Sequence, residues 1–491
     1  MIADIKRLSA NSLVYTVGTV LSRGIVVLLV PVYTRVLTPD DFGILAVTAT
    51  VGVLVTTIIG LSLESAITQL YFQYGNDVER RSLYATLLAF WLVVPGLATL
   101  LLDAVGRTGR LDWSPTIRFQ PYLRLTLWTS YLSIFINLPS TIYATRQEAL
   151  RVVVLLLSQS LLTTMISLYL VVVMRGGALA SLQATLYGTA IGAAVSVVLT
   201  ARMASWNLSW AKLRSAMSFS LPLVPHTASQ WALSLSDRVI LSKYVSTGQL
   251  GLYSLGYQVS ALISFFTQAV TNALAPIVNV QLNDNANRHK VPILGTYALF
   301  GTVFVGLAVA LLGSDLIRLV TPPKFHGSAR VIPLLALGFV FQGIYLIWSR
   351  GTWVSRRTGW MPILTAIAGI INIGLNLWLI PRWGIMAAAF STAVAYGALA
   401  LLQGSLAEKL HHIPWEYSRW FKLLAGGLAC FAVGTLLSSD RPAQNVVLKG
   451  LVCLVLYPVS LGLMSFLTNP ERRVLLSVPV HLRLWFTRFV S

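Results

Sequence analysis

Long apolar segments alternate with short polar connections along the whole chain. A helix needs about 20 apolar residues to cross the roughly 30 Å hydrocarbon core of a bilayer, and fourteen segments have this character. They are Ser12–Tyr33, Gly43–Ile67, Leu83–Leu102, Tyr122–Tyr143, Val152–Met174, Ala178–Thr200, Phe219–Leu241, Leu250–Val280, Pro292–Gly313, Val331–Trp353, Met361–Pro381, Gly384–Ala407, Phe421–Ser438 and Val446–Leu467. The pattern predicts an all-α polytopic membrane protein with about fourteen transmembrane helices.

The composition agrees with this prediction and argues against the soluble classes of protein. Of the 491 residues, 11% are charged and 56% are apolar, and the mean hydropathy is +0.74. An ordinary soluble domain is roughly 25% charged, and it could not cover this much apolar surface with polar side chains. The composition therefore excludes a disordered chain, a disulfide scaffold, a coiled coil and a cytosolic enzyme.

The basic residues favour one orientation in the membrane. The chain has 36 Lys and Arg against 16 Asp and Glu, a formal net charge of +20. They are scattered between apolar segments and form no continuous basic face, so nucleic-acid binding is not expected. With the N-terminus placed inside, 21 basic residues fall on the cytoplasmic side and 13 on the outer side. The positive-inside rule then predicts that both termini are cytoplasmic.

A weak internal repeat relates two parts of the chain at an offset of 207–208 residues. It places Phe42–Leu45 on Leu250–Tyr253, where a glycine follows the first residue in both copies, and Arg80 on Arg288. The repeating unit contains six predicted helices. Since six is an even number, the two copies should have the same orientation in the membrane.

The repeat predicts how the chain is divided. We expect two pseudo-symmetric six-helix bundles, residues 1–210 and 211–415, followed by two further transmembrane helices and a cytoplasmic tail in residues 416–491. Two such bundles around a central cleft are typical of a transporter, with the substrate site between them and near the middle of the membrane.

Arg23 and Glu64 lie within the first two apolar segments, where an ionisable side chain costs at least about 2.5–3.5 kcal/mol to insert. Arg23 belongs to a polar stripe and suits an anion clamp, because a guanidinium stays charged and binds phosphate oxygens in pairs. Its structural alternative is an ion pair with Glu64. Glu64 shares a helical face with Thr57 and Gly60, and it could carry a proton, bind Na⁺ or simply pair with Arg23.

Asp237 and Arg238 lie near the outer end of the seventh segment, whose start should be broken by Pro222 and Pro225. Adjacent residues on a helix point about 100° apart, so we expect that these two charges do not simply neutralise each other. Both are predicted to line the central cleft. Helix packing is the alternative for the pair, and snorkelling to the membrane surface is the alternative for Arg238.

The eighth segment carries a stripe of hydroxyl and amide side chains that includes Tyr257 and Gln268. Asn272 lies beside this stripe and aligns with Glu64 at the offset of 208 residues. One interpretation of this stripe is a water-exposed wall of the cleft that accommodates sugar. Hydrogen bonding between helices, worth about 0.6 kcal/mol per contact, is the other.

No sequence motif indicates catalysis or a bound metal. A Walker loop, an HExxH pair and a nucleophile elbow are all absent from the sequence. We therefore expect no enzymatic activity and no cofactor, apart from coupling to H⁺ or Na⁺. A membrane glycan polymerase or ligase is the alternative from another class, but it normally needs a large outer loop with catalytic Arg or His.

Three stretches carry a resemblance to a known family: Tyr33–Gly43, Phe219–Pro225 and Ser236–Leu241. Together they resemble the polysaccharide-biosynthesis flippases of the Wzx or RfbX type. These flippases belong to the multidrug/oligosaccharidyl-lipid/polysaccharide (MOP) exporter superfamily. The similarity extends over essentially the whole chain.

The resemblance implies a bacterial inner-membrane protein that moves an undecaprenyl-pyrophosphate-linked oligosaccharide to the outer leaflet by alternating access, for O-antigen, capsule or exopolysaccharide assembly. It implies a lipid-linked glycan and membrane lipids as partners, and also a glycan polymerase and a chain-length regulator. Family members hold the pyrophosphate with cationic residues in a central cavity, for which Arg23 and Arg238 are the candidates. The alternatives within the superfamily are a peptidoglycan-precursor flippase and an ion-coupled multidrug exporter.

Overall fold

A computed structural model describes Gly18, Gly24 and residues 28–114, 116–283, 289–355, 357, 359–468 and 471. All regular secondary structure in this part of the chain is helical. After a helical stretch at 28–36, the helices are α1 (Pro39–Gly60), α2 (Leu63–Gln73), α3 (Asp77–Gly106), α4 (Arg124–Thr145), α5 (Ala149–Val173), α6 (Gly177–Met203), α7 (Trp210–Ser220), α8 (Val224–Tyr244), α9 (Thr247–Ser260), α10 (Leu262–Asn283), α11 (Lys290–Val320), α12 (Ile332–Val354), α13 (Trp360–Trp383), α14 (Ile385–Leu410), α15 (Tyr417–Leu436) and α16 (Pro442–Leu463).

Ten helices in the described ranges are long and apolar enough to cross a membrane. Their apolar side chains are exposed in stripes, as on α3, where Val93, Leu97 and Leu101 follow one another at intervals of four residues and are each more than half exposed. Such a stripe suits contact with acyl chains. The protein is therefore a multi-pass membrane protein, while the number of fourteen crossings and the division into two six-helix bundles stay predictions.

Two of the predicted segments are interrupted where no break was expected. The expected helix Gly43–Ile67 is wrong because Leu61 and Ser62 adopt left-handed conformations, with φ of 55° and 52°, and separate α1 from α2. The expected helix Leu250–Val280 is likewise interrupted, by a turn at Ala261 between α9 and α10. Left-handed backbone is costly for non-glycine residues, so the sequence carries no signal for the first break.

The predicted break at the start of the seventh segment is confirmed. The short 3₁₀ turn Leu221–Leu223 contains Pro222 and separates α7 from α8, and Pro225 then occupies the first turn of α8. Proline cannot donate a backbone hydrogen bond, which explains why the helix is interrupted here and starts again at Val224.

The N-termini of α1 and α9 lie against each other. A Cβ atom on Gly43 would lie 2.0 Å from the carbonyl oxygen of Thr247, and a Cβ atom on Gly251 would lie 1.9 Å from that of Pro39. Only glycine allows so close an approach of two backbones. Both helices are capped at this point, since the hydroxyls of Thr38 and Ser246 accept hydrogen bonds from backbone N–H groups of the first turn.

Further bonds join distant parts of the chain at the same end of the molecule. The indole N–H of Trp113, in the loop after α3, donates to the hydroxyl of Ser242 at 2.8 Å. The Lys324 ammonium donates to the carbonyl oxygen of Leu37 at 2.8 Å. With the Gly43–Gly251 contact they form what we call the closed end of the molecule.

Candidate functional site

Asp237 and Arg238 lie in a buried polar cluster on α8, with exposed fractions of 2% and 6%. The guanidinium Nη1 of Arg238 donates to the carboxylate of Asp237 at 2.9 Å, and the backbone N–H of Arg238 donates to the same oxygen at 2.8 Å. The hydroxyl of Tyr253, on α9, donates to the other carboxylate oxygen. The expectation that the two adjacent charges do not neutralise each other is wrong, because both side chains bend into the same buried space.

Tyr257 belongs to the same cluster. Its ring lies beneath the Arg238 guanidinium at 4.1 Å, a cation–π contact, and its hydroxyl donates to the carbonyl oxygen of Ser234 at 3.2 Å. Arg238 donates to that carbonyl oxygen as well, at 3.1 Å. In this conformation the guanidinium is buried, with Nη1 bonded to Asp237 and Ser234 and one face on the Tyr257 ring. Its role as a ligand for pyrophosphate stays a prediction, and it requires the cluster to open.

A separate cavity of about 80 Å³ lies at the break between α1 and α2. Its lining is mostly polar and comes from α1, α2, α4, α8 and the break itself. The lining residues are Thr56, Thr57, Gly60, Ser62, Glu64, Ile134, Asn137 and Thr227. The cavity therefore has room for several waters.

Glu64 is the charged residue in this cavity wall. The break at Ser62 places Glu64 in the first turn of α2, where the helix dipole favours a negative charge. Among the described residues, no basic side chain forms an ion pair with Glu64. The predicted partner, Arg23, lies outside the described residues. The expectation that Thr57, Gly60 and Glu64 share a face of one helix is wrong, because the break at Leu61 and Ser62 puts Glu64 on α2, but all three residues line this cavity.

Gln268 and Asn272 are not brought together with either group of residues. Both lie on α10 and are exposed, and Gln268 donates a hydrogen bond to Ser264 on its own helix at 2.8 Å. Their assignment to a sugar-binding wall stays a prediction. Sequence reasoning missed Tyr253, Asn137 and Thr227, because single polar residues on three different helices show no common spacing.

Comparison with known proteins decides the family. Residues 8–279 match the sequence profile of the family described as “Polysaccharide biosynthesis protein”, which is more than half of the 491 residues. The chain belongs to this polysaccharide biosynthesis protein family. The resemblance inferred from the three sequence motifs is thereby confirmed.

The curated relatives of this family member are distant. “Probable low-salt glycan biosynthesis flippase Agl15” of Haloferax volcanii is 21% identical over 243 residues, which are 48% of this chain and 52% of that protein. “Probable flippase AglR” of the same organism is 28% identical over 173 residues, which are 32% and 34% of the two chains. The chain thus spans about half the length, or less, of these relatives, and both are named as flippases.

Solved structures show which fold the family member adopts. The lipid II flippase MurJ in an inward closed conformation superposes with a TM-score of 0.74 at 15% identity, covering 91% of this chain and 98% of that one. An inward-facing multidrug resistance transporter of the MATE family, in the MOP superfamily, gives a TM-score of 0.60 at 14% identity, with coverages of 82% and 97%. The polysaccharide biosynthesis protein described here therefore has the fold of the MOP superfamily.

Proposed function

We propose that this protein is a flippase that moves a lipid-linked oligosaccharide across a membrane. The family match supports a role in polysaccharide biosynthesis, and the two curated relatives are named as flippases. We further propose that the cargo is an undecaprenyl-pyrophosphate-linked glycan for O-antigen, capsule or exopolysaccharide. It crosses the bacterial inner membrane from a cytoplasmic to an outer face.

The observation that carries the proposal is the polar cavity at Glu64. Its walls come from residues on both sides of the proposed boundary at position 210, since Asn137 precedes the boundary and Thr227 follows it. A hydrated space between two proposed bundles is what a transporter needs for a polar cargo. The glycan would occupy this space while its lipid tail stays in the bilayer.

The proposed mechanism is alternating access between residues 1–210 and 211–415. Gly43 and Gly60 are 17 positions apart on α1, which corresponds to about 25 Å at 1.5 Å per residue. The cavity is thus well separated from the closed end, and we infer that it loads from the opposite side. A cavity of about 80 Å³ is too small for a glycan, so loading requires the two parts to move apart.

The experiment is to disrupt the gene and locate the glycan of the lipid-linked intermediate. In intact spheroplasts an added glycosidase reaches only the outer face, whereas in inverted vesicles it reaches the cytoplasmic face. Without the protein, the intermediate should accumulate and be digested in inverted vesicles alone, and a plasmid copy of the gene should restore digestion in spheroplasts. Normal digestion in spheroplasts of the disrupted strain would contradict the proposal.

A second candidate function, export of small cations, is favoured by one observation. Glu64 is the charged side chain in the described cavity wall, and a carboxylate suits a cation better than a phosphate. Overproduction of an exporter should lower the accumulation of a dye such as ethidium. A flippase should leave dye accumulation unchanged while restoring the glycan, so the two measurements together separate the candidates.

A further inference from the structure

Two arginines from different helices share one buried carboxylate at the end of the molecule that holds loop 107–123. Arg107, just after α3, donates through Nη2 to one oxygen of Asp103 at 2.6 Å, and Arg124, the first residue of α4, donates through Nε to the other oxygen at 2.8 Å. Asp103 itself is 4% exposed, whereas the arginines are 54% and 41% exposed. One carboxylate thus fixes the position of two accessible guanidinium groups.

This cluster has an excess of positive charge and unused hydrogen-bond donors. Two guanidinium groups against one carboxylate leave a net charge of one. Among the described residues, no other acidic side chain forms an ion pair with Arg107 or Arg124. Both Nη groups of Arg124 and the Nη1 group of Arg107 make no hydrogen bond to described protein atoms. Guanidinium groups with free N–H donors are the groups that bind phosphate oxygens best in proteins.

The cluster lies next to a surface that is suited to acyl chains. Leu100, Leu101 and Val105, in the last two turns of α3, are each 45–67% exposed. Arg107 comes two residues after Val105. An apolar stripe that ends at accessible basic residues corresponds to the depth at which a lipid changes from acyl chain to headgroup.

The position of Arg124 relative to α3 is held by packing of the loop. The ring of Phe119 lies directly on Gly106, where a Cβ atom would approach it to 2.2 Å. The backbone N–H of Phe119 also donates to the carboxylate of Asp112 at 2.7 Å. The two guanidinium groups are therefore preorganised, which lowers the entropy cost of binding a ligand.

We propose that Asp103 holds Arg107 and Arg124 as a binding site for the phosphate of a membrane lipid headgroup. The lipid's phosphate contacts the free guanidinium N–H groups, and its acyl chains lie along Leu100, Leu101 and Val105. The site is distinct from the Glu64 cavity and does not depend on the transport function. Ion pairing that merely fixes the end of α3 is the competing explanation.

The test uses the purified full chain in detergent doped with phosphatidylglycerol and measures retained lipid by native mass spectrometry. The site variant is Arg107→Gln with Arg124→Gln. The matched control is Arg110→Gln with Arg118→Gln, which removes the same charge from two exposed residues of the same loop. The site variant should lose about one retained lipid per chain and bind phosphatidylglycerol at least about fivefold more weakly, whereas the control should match the wild type.

Two further measurements separate a positioned site from its alternatives. Asp103→Asn raises the local positive charge but removes the group that positions the arginines. If the arginines form a positioned site, this variant should bind less lipid than the wild type. If they attract lipid only through diffuse charge, it should bind more. Arg124→Lys keeps the ion pair with Asp103 and removes only the guanidinium donors, so it should fold normally and lose part of the binding. Equal retention in the site and control variants would overturn the proposal. Displacement of the lipid by an equal concentration of inorganic phosphate would overturn it too.

Discussion

Gly43 and Gly251 touch across α1 and α9, and each lies against the first residue of the other helix. A Cβ atom on Gly251 would lie 2.9 Å from the backbone nitrogen of Gly43 as well as 1.9 Å from the carbonyl oxygen of Pro39. The two glycines are 208 residues apart, which is the offset of the predicted repeat. The contact is therefore nearly symmetric, as expected if two related helices meet about a common axis.

The first prediction is that this contact tolerates no side chain. We expect Gly251→Ala to destabilise the protein by about 1–3 kcal/mol, since the backbone of Pro39 cannot move aside without disturbing the cap of α1. Thermal unfolding of the detergent-solubilised protein measures the effect. Gly374→Ala, on α13, is the matched control, because a Cβ atom there meets nothing within 4 Å. Equal unfolding midpoints for the two variants would count against the close contact.

The second prediction concerns the buried pair of Asp237 and Arg238. Asp237→Asn should destabilise the protein by about 3–5 kcal/mol, because it leaves a buried guanidinium without its counter-charge. Tyr253→Phe should cost less, about 1.5–3 kcal/mol, since it removes one hydrogen bond to a charged group. Thermal unfolding and the yield of monodisperse protein report both effects.

A double variant tests whether the two charges act as a pair. Asp237→Asn combined with Arg238→Gln removes both charges, so it should be more stable than Asp237→Asn alone. If the destabilisation of the double variant equals the sum of the two single effects, the residues are not coupled in the way the 2.9 Å contact indicates.

The sequence predicts the helical segments well and their interruptions unevenly. Apolar length determines where a helix can cross, and Pro222 marks one break because proline lacks an N–H group. The break at Leu61 and Ser62 has no such marker, since neither residue favours the left-handed conformation that both adopt. Such a break is determined by packing between distant helices, and periodicity does not report packing of that kind.

The candidate site, like the fold, could be predicted from the sequence only in part. The sequence predicts a common helical face for Gly60 and Glu64, whereas the structure brings them to one cavity wall through a break in the helix. It does not predict that Arg238 turns towards Asp237, because the direction of a long side chain depends on which partners surround it. Tyr253 supplies one of these partners from the next helix.

The third prediction concerns Arg23, whose role is tested separately from that of Glu64. Arg23→Ala should abolish display of the surface glycan at a normal protein level, if Arg23 is the clamp for the pyrophosphate. Arg23→Lys should restore part of the display, since it keeps the charge but loses the paired donors of guanidinium. Surface glycan and membrane protein level are measured in the same complemented cells. Normal display with Arg23→Ala would remove this residue from the mechanism.

Glu64→Gln provides the corresponding test of ion coupling. The change preserves the shape of the side chain and removes its ability to carry a proton or balance Na⁺. If transport is coupled through Glu64, export in vesicles should lose its dependence on an imposed ion gradient while binding of the lipid-linked glycan persists. Gradient dependence equal to that of the wild type would leave Glu64 with a structural role.

The last prediction concerns pH and the ion pair of Glu471 with Arg419, whose closest atoms are 3.1 Å apart. Partial burial alone would raise the pKa of Glu471. The hydrogen bonds that it accepts from Thr468 and Tyr297, together with the nearby Arg419 guanidinium, outweigh burial and hold this pKa below its ordinary value. Because the folded protein binds this proton less readily than the unfolded chain, ionised Glu471 stabilises the folded state. That contribution is present above the ordinary pKa of about 4.3 and is lost as the pH falls through the lowered value.

We therefore expect Glu471→Gln to lower the unfolding midpoint at pH 7 and to have a smaller effect as the pH approaches 4. The comparison is made on full-length protein in one detergent at constant ionic strength, because salt screens such a pair. Asp440→Asn is the matched control, since this acid forms no ion pair with described residues. A destabilisation by Glu471→Gln that is the same at both pH values would mean that the side chain acts through its shape rather than its charge.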